Sequence, residues 1–255
     1  MRSLLLSTLF ISLLLAGCQH NTPSDQKTTE IFVSAAASLS DAMDEIKQEY
    51  ESAHPDVNLT FNFGGSGKLA QQIQQGANVD VFLSANQDWM DVLADEKMIV
   101  ADTRSDFVKN KLVMIGKKNA DLNWTTFKDI DASVGQIAIG NPDSVPAGNY
   151  AKEVLTHLDK WDALKDKFVY AKDVTQVLSY VESGNTAIGF VYQSDVLRSN
   201  SVEVLAEANK NWYTPIVYPA AVTSSSENRD EADDFISFLT SDEGQAILAD
   251  YGFAK

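Results

Sequence analysis

Apolar residues along the chain follow two alternating patterns. Short runs rich in β-branched and aromatic residues, such as Ile31–Val33 and Val79–Leu83, are typical of buried strands. After the first run, apolar residues recur at the spacing of a helix face, at Leu39, Met43, Ile46 and Tyr50. The same patterns predict strands at 57–63, 112–115, 137–139, 168–171, 187–192 and 216–222, and helices around 69–73, 89–93, 150–158, 174–182, 231–239 and 243–251. This alternation predicts an α/β fold with mainly parallel sheets.

These elements are too many for one small sheet, so we expect two α/β lobes. No Pro- or Gly-rich linker separates the lobes, and crossing strands near 105–115 and 210–220 are expected to connect them. The first lobe is then formed by residues 31–110 and 217–255, and the second lobe by residues 111–216.

The N-terminus has the features of an export signal. Arg2 precedes an apolar run of thirteen residues from Leu4 to Ala16, which is too short to span a bilayer comfortably. The run ends in Leu15-Ala16-Gly17-Cys18, which resembles the lipobox of bacterial lipoproteins. That resemblance implies a signal peptide over 1–17, acylation of Cys18 and a polar tether over 18–30. The alternative is an ordinary signal peptide in which the cysteine is incidental.

Charge and motif content exclude several functions. The chain has 20 Lys and Arg against 36 Asp and Glu, a net charge of −16 that repels nucleic acids. Three His and one Cys are too few for the usual transition-metal site. The Gly65-Ser66-Gly67-Lys68 turn is not a P-loop, because Leu69 stands where Ser or Thr would hold magnesium. With no catalytic motif evident, we expect neither an enzyme nor a cofactor.

Five strand-to-helix turns carry the residue types of an anion site. Ligands of open α/β sheets collect at the carboxyl ends of strands, where the N–H groups of helix starts bind anions. Each turn alone is more often a simple cap or turn. Together, the turns predict an anion site; they lie at 35–41, 64–68, 143–148, 172–174 and Tyr192.

The turn sequences are similar to those of the periplasmic molybdate-binding proteins of ABC importers, the ModA family. The similarity covers residues 29–255, and its segments are AAASLSDAM, GGSGKLAQQI, DVFLSANQDWMD, VPAGNYAKEVL, KDVTQVL and GFVYQSDV. It implies two α/β lobes that close over molybdate or tungstate. It further implies a monomer that delivers the oxyanion to an ABC permease from outside the cytoplasm. The lipid on Cys18 would hold this monomer at the membrane.

The resemblance also implies the residues that hold the ligand. The two ligand serines of the family fall on Ser38 and Ser66, and its ligand tyrosine falls on Tyr192. Ala147 and Val174 are expected to contribute backbone N–H groups. Lys68 departs from the small polar residue often found at its position, and we expect it to face solvent.

Three alternatives remain open from the sequence alone. A carrier of another oxyanion, an organic acid or an amino acid would share the fold, although an organic acid generally requires an arginine clamp. Arg104, Arg198 and Arg229 lie outside the turns. A ferric-ion carrier would need clustered tyrosines. An exported hydrolase would use Ser38 or Ser66, with no partner base evident.

Overall fold

A computed structural model describes residues 28–120, 122 and 124–255. The expected signal peptide, Cys18 and the tether up to residue 27 lie outside the described residues. The first strand begins at Thr29, so the tether expected over 18–30 is too long by two residues, since Thr29 and Glu30 already pair with the next strand.

The first sheet gathers strands from both ends of the described chain. Its order is β2-β1-β3-β10-β4, with β1 (Thr29–Ala36), β2 (Val57–Gly64), β3 (Val81–Leu83), β4 (Ser105–Lys109) and β10 (Val217–Val222). The helices of this part are α1 (Ser40–Ala53), α2 (Ser66–Gln74), α3 (Gln87–Asp95), α8 (Arg229–Thr240) and α9 (Asp242–Asp250). We call this sheet with its helices the first lobe.

The second sheet is built from the middle of the chain. Its order is β7-β6-β8-β5-β9, with β5 (Leu112–Lys117), β6 (Ile137–Gly140), β7 (Phe168–Ala171), β8 (Ile188–Tyr192) and β9 (Val202–Glu207). Its helices are α4 (Pro146–His157), α5 (Trp161–Leu164), α6 (Val174–Glu182) and α7 (Gln193–Val196). We call this sheet with its helices the second lobe.

The two-lobed α/β class is confirmed, but the sheets are mixed rather than mainly parallel. In the first lobe β1 pairs in parallel with β2 and β3, whereas β10 is antiparallel to β3 and β4. In the second lobe β6 pairs in parallel with β7 and β8, whereas β5 is antiparallel to β8 and β9. Each of these antiparallel pairs contains β5 or β10. These two strands follow the crossings of the chain into the second lobe and back into the first.

Packing explains which elements the sequence pattern predicted. Helix α1 buries a face that includes Met43, Ile46 and Tyr50, and the Tyr50 ring meets Phe235 of α8 edge-on at 5.3 Å between centroids. The pattern missed β9, because this edge strand buries only Val202 fully and lacks a clear alternation. It also missed α5 and α7, which are four residues long and show no helical period.

Within the described residues, no helix has the length and apolar character to cross a bilayer.

Candidate functional site

The carboxyl ends of the parallel strands of both lobes surround one cavity. Within it, the centre of a water-sized sphere can move through about 10 Å³. A cavity can hold a water molecule when this volume reaches roughly 10–15 Å³, so the cavity suits only a ligand of a few atoms. All five residues that the sequence singled out line it together; the full lining is Ala36, Ala37, Ser38, Gly64, Gly65, Ser66, Ala85, Val145, Pro146, Ala147, Asp173, Val174 and Tyr192.

Ser38 reaches the cavity from a 3-10 turn over Ala37–Leu39, which joins β1 to α1. The serine is buried, and its Oγ lies 2.9 Å from the hydroxyl oxygen of Tyr218. The Asn110 side-chain amide is 3.5 Å from the same tyrosine oxygen and donates to it. Either hydroxyl of the Ser38–Tyr218 pair can be the donor. When Tyr218 donates to Ser38, the serine proton is free for a ligand.

Ser66 is the first residue of α2 and is completely buried. Its Oγ accepts a hydrogen bond of 2.9 Å from the backbone N–H of Ala85, which follows β3. Because the serine oxygen already accepts this bond, its own proton can be donated into the cavity. The neighbouring strand end thus orients the hydroxyl as a donor.

Ala147 and Val174 lie in the first turns of α4 and α6. Their N–H groups precede the first intrahelical hydrogen bonds of these helices, so both remain available to a ligand. The start of α4 approaches β6 closely, and a Cβ atom at Gly148 would lie 1.9 Å from the carbonyl oxygen of Gly140. The glycine therefore allows α4 to begin at the cavity wall.

Tyr192 ends β8 and is 1% exposed. Its hydroxyl has no hydrogen-bond partner among the described residues, although the ring packs edge-on against Tyr218 at 5.8 Å. Burial raises the pKa of both phenols well above the ordinary value, so each remains a neutral hydrogen-bond donor. The backbone N–H of Tyr192 donates to Asp195 Oδ2 at 2.9 Å, which fixes the end of the strand.

Among the residues that the structure describes, no lysine or arginine lines the cavity. Lys68 is exposed and lies outside the lining, in agreement with the expectation that it faces solvent. The single ionisable carboxylate in the lining is Asp173, whose Oδ1 accepts the Gln176 N–H at 2.8 Å as the N-cap of α6. The donors facing the cavity are therefore hydroxyl and backbone N–H groups without a cationic side chain, an arrangement that binds anions through local dipoles.

The lobes are closed on each other at this site. The Gly67 N–H of the first lobe donates to the Ser144 carbonyl of the second lobe at 2.9 Å. A Cβ atom at Gly65 would lie 2.9 Å from the Lys172 carbonyl oxygen and 3.0 Å from that of Ser144. The glycines of this turn thus permit the backbones of the two lobes to meet.

Several residues that support the site were not found from the sequence. Tyr218, Asn110 and Asp195 lie behind the cavity wall, and no local motif marks their role. Asp195 is completely buried, and this burial raises its pKa to about 7. The segment GFVYQSDV contains Asp195, but only the fold shows that its carboxylate holds the Tyr192 backbone.

The geometry disfavours hydrolysis and ferric-ion binding. His54 stacks on Tyr50 at 4.3 Å and His157 on Trp212 at 5.9 Å, so neither histidine of the described chain serves a cavity serine as a base. A ferric-ion carrier would need clustered tyrosines, whereas Tyr192 is the one tyrosine among the described residues that line the cavity. Among the described residues, no group of three or more His, Cys, Asp or Glu could hold a metal ion.

Comparison with known proteins decides the family. The family of bacterial extracellular solute-binding proteins matches residues 31–254. The chain belongs to this family. This solute-binding protein is 43% identical to a Bacillus subtilis protein named "Putative ABC transporter substrate-binding lipoprotein YvgL", over 98% of this chain and 97% of the relative.

Two further comparisons involve proteins named for molybdate. The solute-binding protein is 33% identical to the molybdate-binding protein ModA of Haemophilus influenzae over 98% of each chain. It also matches the solved structure of the Azotobacter vinelandii periplasmic molybdate-binding protein, with a TM-score of 0.80, 25% identity and coverage of 88% of this chain and 99% of the other. The resemblance noted in the turn motifs is thereby confirmed, and the family's role is extracytoplasmic solute binding rather than catalysis.

Proposed function

We propose that this solute-binding protein captures molybdate or tungstate in the cavity between its lobes and delivers it to an ABC permease in the membrane. The oxyanion is held by the hydroxyls of Ser38, Ser66 and Tyr192 and by the N–H groups of Ala147 and Val174. The proposal is supported by relatives that are named for molybdate binding and by the five residues lining one cavity.

The observation that carries the proposal is the Tyr192 hydroxyl. It is buried in the cavity wall without a partner among the described residues. Leaving a buried hydroxyl unpaired costs about 1–3 kcal/mol, so a hydrogen-bond acceptor from outside the protein is expected to satisfy it. An oxyanion supplies such an acceptor.

Donor chemistry favours a fully deprotonated dianion. Molybdate and tungstate carry no proton at neutral pH, and every oxygen can accept from a hydroxyl or N–H group. Phosphate carries a proton that needs an acceptor, whereas the five proposed ligand groups act as donors. We therefore expect the site to discriminate against protonated oxyanions through an unpaired group.

The cavity argues against the other carriers. An organic acid or amino acid carrier generally holds the carboxylate with arginine, and none of the described arginines lines this cavity. The space of about 10 Å³ that is open to the centre of a water-sized sphere also leaves little room for a carbon skeleton. These residues fit an inorganic anion of a few atoms better.

The proposal also covers the membrane anchor, the oligomeric state and the lobe boundaries. Acylated Cys18 holds the mature protein at the membrane, with the lobes facing the periplasm or the cell exterior. A single acyl chain binds membranes only marginally, so stable anchoring requires the several chains of a lipoprotein. The protein acts as a monomer, with residues 31–110 and 217–255 in one lobe and 111–216 in the other, and needs no cofactor.

A thermal-shift series tests the proposal. A ligand present at about 100 times its dissociation constant stabilises the protein by about 2.7 kcal/mol. Molybdate and tungstate should each raise the melting temperature, whereas phosphate at neutral pH and an amino acid mixture should not. A shift with amino acids and none with molybdate would refute the proposed ligand.

A further inference from the structure

Arg198 follows α7 and connects segments of both lobes. Its Nε lies 3.0 Å from Asp41 Oδ1 in the first turn of α1. Its Nη1 donates to Thr175 Oγ1 at 3.1 Å and to the Ala37 carbonyl at 3.4 Å. Its side chain is 18% exposed, so the guanidinium is largely withdrawn from solvent.

The partners of Arg198 lie beside proposed ligand residues. Ala37 and Asp41 flank Ser38 in the first lobe, and Thr175 follows Val174 in the second. In addition, Asp195 Oδ1 is 3.9 Å from Arg198 Nη1, while Oδ2 of the same carboxylate holds the N–H of Tyr192. One guanidinium thus contacts the segments that carry three of the five proposed ligand residues.

This arrangement forms only when the lobes are closed, because Asp41 and Ala37 belong to one lobe and Arg198 and Thr175 to the other. Arginine suits the position, since its planar guanidinium offers five donors in fixed directions. Arg198 is absent from the cavity lining and lines a groove at the cavity's outer edge. Its contribution to ligand binding is therefore indirect.

We propose that Arg198 is a positioning residue that locks the closed lobes over the bound oxyanion and slows its release. This inference rests on the proposed function. The bridge from Arg198 to Asp41 and Ala37 stabilises the closed state that holds the ligand and is absent from the open state. It should therefore act mainly on the dissociation rate rather than on the association rate.

A long-range attraction between the guanidinium and the anion would also raise affinity, but it makes the opposite prediction for Asp41→Asn. Removing a negative charge near the site would tighten binding if only the electrostatic field mattered. Under the proposal, the same substitution weakens the contact between the lobes and speeds release. The sign of this effect separates the two explanations.

Trp89 provides a fluorescent reporter of closure. This first-lobe residue shares a surface cleft with Pro142 and Pro146 of the second lobe, whereas the other three tryptophans of the chain lie in the second lobe. Loss of the ligand-dependent signal in Trp89→Phe would identify the reporter. Molybdate release from the full chain in detergent can then be followed by dilution in a stopped-flow instrument.

The experiment compares Arg198→Ala, Arg198→Lys and Asp41→Asn with Arg229→Ala. Arg229 is a matched control, because within the described part of the chain its guanidinium donates only to the Ser224 and Ser226 carbonyls of its own lobe, at 2.8 Å and 3.4 Å. We expect release to be about tenfold faster in Arg198→Ala and also faster in Asp41→Asn. Arg198→Lys should recover only part of the loss, because a lysine cannot bridge these segments.

Three results would overturn the inference: an unchanged release rate in Arg198→Ala, an equal acceleration in Arg229→Ala, or slower release in Asp41→Asn. Full recovery of the wild-type rate by Arg198→Lys would also overturn it, since charge alone would then suffice. A wild-type chain that responds to no oxyanion would instead refute the proposed function, so the two failures are distinguishable.

Discussion

Replacing Tyr192 by Phe removes a single hydroxyl from the cavity wall. The hydroxyl is buried and has no partner among the described residues, so the substitution breaks no protein hydrogen bond there. A hydrogen bond to a charged acceptor contributes about 1.5–3 kcal/mol. Since 1.4 kcal/mol corresponds to a factor of ten in affinity, the dissociation constant for molybdate should rise about 10- to 150-fold.

The same substitution should not destabilise the ligand-free protein. Removing an unpaired buried hydroxyl relieves a desolvation penalty, so the melting temperature without ligand should be unchanged or higher. Tyr218→Phe is the matched control, because its hydroxyl contacts Ser38 at 2.9 Å and Asn110 at 3.5 Å. That variant should lower the ligand-free melting temperature.

Isothermal titration calorimetry with molybdate and thermal denaturation without ligand provide the two measurements. The expected pattern is weaker binding with intact stability for Tyr192→Phe, and reduced stability for Tyr218→Phe. Wild-type affinity in Tyr192→Phe would refute the assignment of this hydroxyl as a ligand. A large loss of ligand-free stability in the same variant would show that the hydroxyl is paired within the protein.

Three further predictions concern closure, pH and anchoring. Gly65→Ala should weaken molybdate binding in calorimetry, because the new Cβ atom would clash with the backbone of the second lobe. The control Gly135→Ala should not weaken it, because its Cβ would lie 3.4 Å from Ala187 Cβ, an ordinary contact. Equal affinities of the two variants would contradict this prediction. Asp195 has a folded pKa of about 7 against an ordinary 3.8. Its contribution to the free energy of unfolding therefore falls by up to about 1.4 kcal/mol per pH unit from about pH 4 to about pH 7. Urea denaturation of Asp195→Asn should lack that component, and an identical pH profile would contradict it. Cys18→Ala should abolish lipid labelling; wild-type protein recovered wholly unlipidated would reject the anchor.

Local patterns were sufficient to predict most of the fold. Runs of buried β-branched residues predicted the positions of parallel strands. Strand β7 and helix α6 begin and end at the predicted residues. Strand direction was not predictable, because a buried apolar run has the same pattern in parallel and antiparallel pairs. Edge strand β9 was missed, since most of its residues are exposed or half-buried and carry little periodic signal.

The candidate site was partly predictable for a similar reason. The turns that follow parallel strands meet at one sheet edge, so their side chains could be grouped before the fold was known. The supporting contacts could not be predicted, because they join distant parts of the chain. Ser38 and Tyr218 are 180 residues apart. Arg198 lies outside every candidate turn, although it contacts the segments that carry Ser38, Val174 and Tyr192.

Anomalous diffraction from crystals grown with molybdate tests the central claim most directly. Data collected at the molybdenum absorption edge locate the metal without reference to the protein. We predict one strong peak per chain inside the cavity, within hydrogen-bonding reach of Ser38, Ser66, Ala147, Val174 and Tyr192 through the oxyanion oxygens. A peak elsewhere on the protein, or an empty cavity at saturating molybdate, would contradict the account.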